Sequence, residues 1–184
     1  MRKGYTVTYQ MRKQQRQRRE KIIGYILKFV AAVFFAFFIV RFICFSYTIQ
    51  GDSMAPTFQN GEKHLVNRVI YQVKKPSRYD IIVFKLSDEK NNNYYVKRVV
   101  GLPGETIEIK DGNIYVDGRK TTLFSKEKIL SPGLASEKLT LKENQYFVLG
   151  DNYNNSEDSR SASIGNVKRS NIVGKVSFRY WPWG

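Results

Sequence analysis

A basic arm running straight into a long apolar stretch limits this chain more than any other feature. Residues 22–45 are dominated by Ile, Phe, Val and Ala and include an unbroken apolar run from Phe29 to Val40. As a helix the stretch would extend about 36 Å, against about 30 Å of bilayer hydrocarbon, so it can cross a membrane with tilt. Lys28 and Arg41 stand near its ends, where long basic side chains can snorkel to the headgroups. A buried soluble helix is a poorer reading, because the run has no polar face and its flanks are charged. A cleaved signal peptide is also a poorer reading, because its apolar region usually spans about 7–15 residues. The expectation is an uncleaved signal-anchor helix over residues 22–46.

The arm sets the orientation. Residues 1–21 carry Arg2, Lys3, Arg12, Lys13, Arg16, Arg18, Arg19 and Lys21 against Glu20 alone, which is +7 of the chain's net +15. Lysine and arginine stay on the cytoplasmic side of a bilayer. Residues 1–21 are therefore expected in the cytoplasm and residues 47–184 outside it, as a single-pass protein of the cell membrane. Charge gathered in an arm, rather than spread over a domain, argues against a nucleic-acid partner. A length of 184 residues suits one domain with a small insertion. Cys44 is the only cysteine, which excludes a disulfide scaffold, and it reads as an apolar filler of the membrane segment.

Beyond the apolar stretch, short β-branched and aromatic runs alternate with Gly, Asn and Asp, the pattern of strands and turns. Strands are predicted at His64–Tyr71, Asp80–Leu86, Tyr94–Val100, Thr106–Lys110, Asn113–Val116, Tyr146–Leu149 and Ile172–Arg179. Asp111-Gly112 predicts a two-residue type I′ hairpin. Thr121–Lys142 is polar and aperiodic, which suggests a peripheral insertion or flexible loop within about 105–144. The expected class is mostly β: a membrane helix followed by a curved, barrel-like antiparallel sheet.

Metal or cofactor chemistry is not expected. His64 is the single histidine, and with Cys44 in the membrane no zinc ligand set can be assembled. His64 lies in an alternating run and reads as a surface strand residue rather than a triad member. Three segments carry more chemical promise. Gly51-Asp-Ser-Met-Ala-Pro-Thr57 puts a serine in a turn marked by Gly and Pro. Tyr95-Val-Lys-Arg-Val-Val-Gly-Leu-Pro-Gly-Glu105 puts a lysine inside an apolar strand. Gly150-Asp-Asn-Tyr-Asn-Asn-Ser-Glu-Asp-Ser-Arg160 is a polar loop after a buried-looking strand.

Together these segments resemble those of type I signal peptidases, the membrane-bound Ser/Lys proteases, and they occur in the family's order. Tyr79-Asp-Ile-Ile-Val-Phe84 matches a weaker fourth segment, and Gly174-Lys-Val-Ser-Phe-Arg-Tyr-Trp-Pro-Trp183 looks like the family's C-terminus. The resemblance implies an endopeptidase that removes signal peptides from exported preproteins after small residues at −3 and −1. It implies Ser53 as nucleophile and Lys97 as a base kept neutral by burial. It implies Ser156 as a hydrogen-bond partner of the Lys97 amine, an Asp158–Arg160 pair holding the loop, and an Asp151–Arg98 pair. The oxyanion hole would use the Ser53 backbone N–H. Some family members add a serine two residues before the nucleophile; Gly51 stands there and could offer only backbone. The substrate is expected as an extended strand at a sheet edge, near membrane lipid. Met54 and Phe178–Trp183 read as core or as a lipid-facing surface, with core preferred.

Other readings are a signal-peptidase-like protein assisting pilus or surface-protein assembly, a self-cleaving SOS-type repressor, and a membrane-tethered nucleic-acid binder. The apolar stretch argues against the second, and both Ser53 and Lys97 are present, against the first. Oligomeric state has no signature in this sequence.

Overall fold

The computed structural model describes residues 3–86, 93–121 and 127–181, with side chains described throughout these except at 3–14 and 39–43. The side chain of Arg41, residues 122–126 of the expected insertion and Pro182-Trp183 lie outside the described residues. The chain divides into two compact units, residues 1–42 and 43–184.

The first unit is one helix, α1 (Lys3–Ile43), which takes in the basic arm as well as the apolar stretch. Its Gln15–Phe38 portion is long and apolar enough to cross a membrane, and none of it is covered by protein. Phe29, Phe34 and Phe37 are each about two-thirds exposed, a surface that only an apolar surrounding would favour.

The second unit is mostly β. Its strands are β1 (Cys44–Thr48), β2 (Lys63–Asn67), β3 (Ile81–Phe84), β4 (Tyr95–Gly101), β5 (Thr106–Lys110), β6 (Asn113–Val116), β7 (Arg119–Lys120), β8 (Leu139–Thr140), β9 (Gln145–Leu149), β10 (Val167–Lys168) and β11 (Ile172–Trp181), with a single-turn α2 (Ile70–Val73) between β2 and β3. Seven strands form a bulged antiparallel sheet in the order β1-β2-β11-β3-β4-β9-β10. Four form a small antiparallel sheet in the order β7-β6-β5-β8, built wholly from residues 106–140. The mostly-β expectation therefore holds.

Local chemistry explains the elements and the departures from expectation. Asp111 and Gly112 both have positive φ, the signature of the expected type I′ turn; Asp117-Gly118 repeats it between β6 and β7. β2 ends at Asn67 rather than running on to Tyr71. Asn67 Oδ1 accepts hydrogen bonds from the N–H groups of Val69 and Ile70, at 2.9 and 3.0 Å, and so turns the backbone into α2. Cys44 opens β1, paired with Asn67, instead of filling the apolar helix.

Three apolar clusters fill the second unit. One lies under the small sheet and joins Ile107, Ile109 and Ile114 to Phe147 and Leu149. It also takes in Ile129, Ala135 and Leu141, so the described part of the aperiodic segment 121–142 is packed rather than loose. Three apolar residues so widely separated cover a sheet without the dense alternation of a strand or the stripe of a helix, which is why the segment reads as a loop. A second cluster surrounds Ile82, Phe84, Tyr146 and Val148. The third joins Ile49, Met54, Val66, Val83, Val96 and Val176 and underlies the site described next.

His64 is not a surface residue. It is 2% exposed, because β2 is sandwiched between β1 and β11. Its Nε2 pairs with Glu62 Oε2 at 2.9 Å, its ring packs on Phe58, and Arg179 reaches the other Glu62 oxygen at 2.9 Å. The alternation places His64 on the inner face, and a buried carboxylate satisfies it there.

Candidate active site

Ser53 lies in the tight loop between β1 and β2. The base of the loop is closed by Ile49 N–H donating to Glu62 O at 2.8 Å and Gly61 N–H donating to Ile49 O at 2.9 Å. Gly51 takes a left-handed φ of 76°, which a side chain would resist, and its N–H donates to Asn60 Oδ1 at 3.1 Å. Immediately after the serine, Met54 is driven into the third cluster and is 1% exposed. Ser53 is thus held between a hydrogen-bonded glycine turn and a hydrophobic plug. Met54 is core; Phe178 and Trp181, the other candidates for apolar surface, are more than half exposed.

Lys97 enters from β4, with β3 and β9 on either side, and is only 4% exposed. Its Nζ lies 2.6 Å from Ser53 Oγ. Burial lowers the amine from its usual 10.5 to about 8. Arg160 adds to the lowering, while Asp158, Glu157 and Asp151 oppose it. At neutral pH a useful fraction of the amine is therefore free to accept a proton.

The loop after β9 supports both groups. Asp158 is fully buried and forks onto Arg160, with Nε and Nη2 donating at 2.8 and 2.9 Å. Its Oδ2 also accepts from Gly150 N–H at 3.1 Å. Arg160 spends its other donors on Tyr153 O at 2.5 Å and Ser131 O at 3.2 Å, so one guanidinium ties the loop to the neighbouring segment. Arg98 forks onto Asp151 at 2.7 and 2.5 Å and reaches Tyr79 O at 3.1 Å. Both expected ion pairs are present.

Two expected contacts are not. Ser156 Oγ is buried and has no hydrogen-bond partner among the described residues, so the amine of Lys97 is met by Ser53 alone of the two serines. Ser156 instead crowds Gly150: a Cβ on that glycine would overlap Ser156 Oγ and the Ser53 carbonyl oxygen. Gly51 offers no free backbone donor either, since Asn60 accepts its N–H. The Ser53 N–H, by contrast, donates to no group among the described residues.

Asn152 was not singled out from the sequence. Its backbone N–H donates to Ser53 O and its Nδ2 to Asp52 O, both at 3.1 Å. It clamps the loop after β9 onto the serine turn. An Asn in an Asx-rich loop gives no hint of a partner a hundred residues away. Gly150 completes the same junction, and Gly150→Ala is expected to cost at least about 100-fold in kcat/KM by displacing Ser53. Overpacking of this kind costs about 1–3 kcal/mol, so a melting curve should still show a folded protein.

The serine and lysine open into a cleft of about 470 Å³, walled by Tyr47, Ile49, Met54, Tyr94 and Val96. Among the described residues no group of three or more His, Cys, Asp or Glu side chains is placed to hold a metal ion. A hydroxyl beside a buried, easily deprotonated amine, in a cleft of mixed polar and apolar lining, can act as an activated oxygen nucleophile.

Comparison with known proteins supplies the family. The family model described as signal peptidase, peptidase S26, matches residues 22–181. Signal peptidase IB of Staphylococcus aureus strain COL is 33% identical over 90% of this chain and 92% of its own length. Signal peptidase I of Bacillus caldolyticus is 40% identical over 77% of this chain and 82% of its own. A crystal structure of a signal peptidase I from Enterococcus faecalis V583 shares 35% identity, with a TM-score of 0.45 over 57% of this chain and 99% of that one. The chain belongs to the signal peptidase family, peptidase S26, and is an enzyme of signal-peptide removal.

Proposed function

We propose that the enzyme cuts preproteins with a Ser53/Lys97 dyad while held in the membrane by α1, its N-terminus cytoplasmic. The observation that carries the reading is the 2.6 Å approach of Lys97 Nζ to Ser53 Oγ from a buried strand. Neutral Lys97 accepts the Oγ proton as Ser53 attacks the scissile carbonyl carbon. The oxyanion meets the Ser53 N–H, which donates to no other group among the described residues. The lysine ammonium then returns its proton to the departing amine, the new N-terminus of the mature protein. Water, giving a proton to the same amine, attacks the acyl–Ser53 ester; the Oγ–carbon bond breaks, the lysine ammonium returns the proton to Oγ, and the signal peptide leaves as a carboxylic acid.

Substrate choice follows the cleft. An extended preprotein segment would place small −3 and −1 side chains against the wall formed by Ile49, Met54 and Val96. The +7 of residues 1–21 supports the orientation. Membrane tethering of enzyme and preprotein on one surface raises their effective concentration without new contacts.

Full-length enzyme in detergent, incubated with a preprotein, should release a mature chain whose new N-terminus follows a small residue, as read by mass spectrometry. Ser53→Ala should release none. Equal processing by both would sink the dyad. Protease protection of the arm in sealed right-side-out vesicles tests the orientation.

A further inference from the structure

Glu157 lines the same cleft as Ser53 and Lys97 and has no part in the dyad. It sits between Ser156 and Asp158 and is exposed. Its Oε1 accepts a hydrogen bond from Ser163 Oγ at 2.5 Å, and Ser163 Oγ lies 2.8 Å from Ser161 Oγ. The carboxylate is thus steadied by a hydroxyl pair and, among the described residues, forms no ion pair with a cation. The other charges around Lys97 are cancelled in pairs, Asp158 by Arg160 and Asp151 by Arg98.

Charge in the described cleft wall therefore comes down to two residues, Glu157 and Lys97. The dyad works only when Lys97 is neutral. In that state Glu157 is the one formal charge the described wall presents to a substrate. We propose that Glu157 is a specificity-determining residue that favours preproteins with a cationic side chain at −2 or +1 and disfavours acidic ones there. This rests on the dyad and on an extended substrate. With −3 and −1 turned into the apolar wall, the −2 and +1 side chains point the opposite way, toward the rim.

Peptides that differ only in Lys, Gln or Glu at −2, and a second set at +1, test the proposal on full-length enzyme in detergent. Wild type should prefer Lys over Glu by about 3- to 5-fold in kcat/KM at one of these positions at low salt, the size of an exposed charge contact. The preference should fall mainly in KM and fade as salt is raised. Glu157→Gln, which can still accept from Ser163, should bring the ratio within about 2-fold, and Glu157→Lys should reverse it. Taking the ratio within each variant cancels any general loss of folding or rate. An unchanged Lys-to-Glu ratio in Glu157→Gln, or no preference in wild type at either position, overturns the proposal while Ser53-dependent cleavage leaves the dyad standing. Cleavage that survives Ser53→Ala overturns the dyad and this inference with it.

Discussion

Lys97→Met should abolish preprotein processing and yet yield a protein that melts higher than wild type at pH 7. Methionine matches the apolar stem of lysine but has no amine to take the Ser53 proton, so the loss should resemble that of the serine itself. The stability gain has a different origin. In the folded chain the amine titrates near 8, against 10.5 when unburied. Below pH 8 it is protonated in both states, and the fold carries the full cost of burying an ammonium, about 3 kcal/mol at 1.36 kcal/mol per unit. Between pH 8 and 10.5 the unfolded chain binds the proton and the folded chain does not, so wild-type stability rises with pH across that window. The melting advantage of Lys97→Met should therefore be largest below pH 8 and shrink toward pH 10.5. Wild-type activity should show the complementary profile. It should climb about tenfold per pH unit up to about 8 and then level, as the neutral fraction saturates. A flat profile from pH 6 to 9, or a Lys97→Met variant that processes substrate, would rule out lysine as the base.

Asp158→Ala should be the most damaging single change to the fold. The carboxylate is fully buried and accepts from Arg160 and from Gly150 N–H. Its removal strands a buried guanidinium, and breaking one side of such a pair costs about 3–5 kcal/mol. The loop it holds is the one that clamps Asp52 and Ser53 through Asn152, so activity should fall with stability. Combining Asp158→Ala with Arg160→Met should recover part of the melting temperature without restoring activity, because the stranded charge is gone but the loop is still untied. Any activity left in Asp158→Ala should reach its plateau at lower pH, since Asp158 is the foremost charge holding the Lys97 amine up. Wild-type melting in Asp158→Ala would contradict this account of the pair.

Much of this was legible in the chain. The apolar helix follows from composition over two dozen residues, which needs no tertiary knowledge. Strands β5 and β6 were readable to the residue, because Asp111-Gly112 fixes the turn and the alternation on both sides fixes the register. The serine and lysine were readable as ordered motifs, although 44 residues separate them. His64 was misread because alternation tells which residues share a face, not which face is inside. Ser156 was misjudged because its resemblance to a base-supporting serine says nothing of the crowding against Gly150. Asn152 went unnoticed because its partners lie a hundred residues away.

By itself the sequence determined what is local: a span long and apolar enough for a bilayer, the basic arm that precedes it, and the strands and turns of a β unit. Only the tertiary structure decided what Lys97 is. A lysine in a β-strand is ordinarily a charged surface group. Burial between β3 and β9, with Ser53 brought to 2.6 Å by a separate loop, pulls its amine to about 8. Desolvation is set by everything packed around a group, and so cannot be read from its neighbours in the chain.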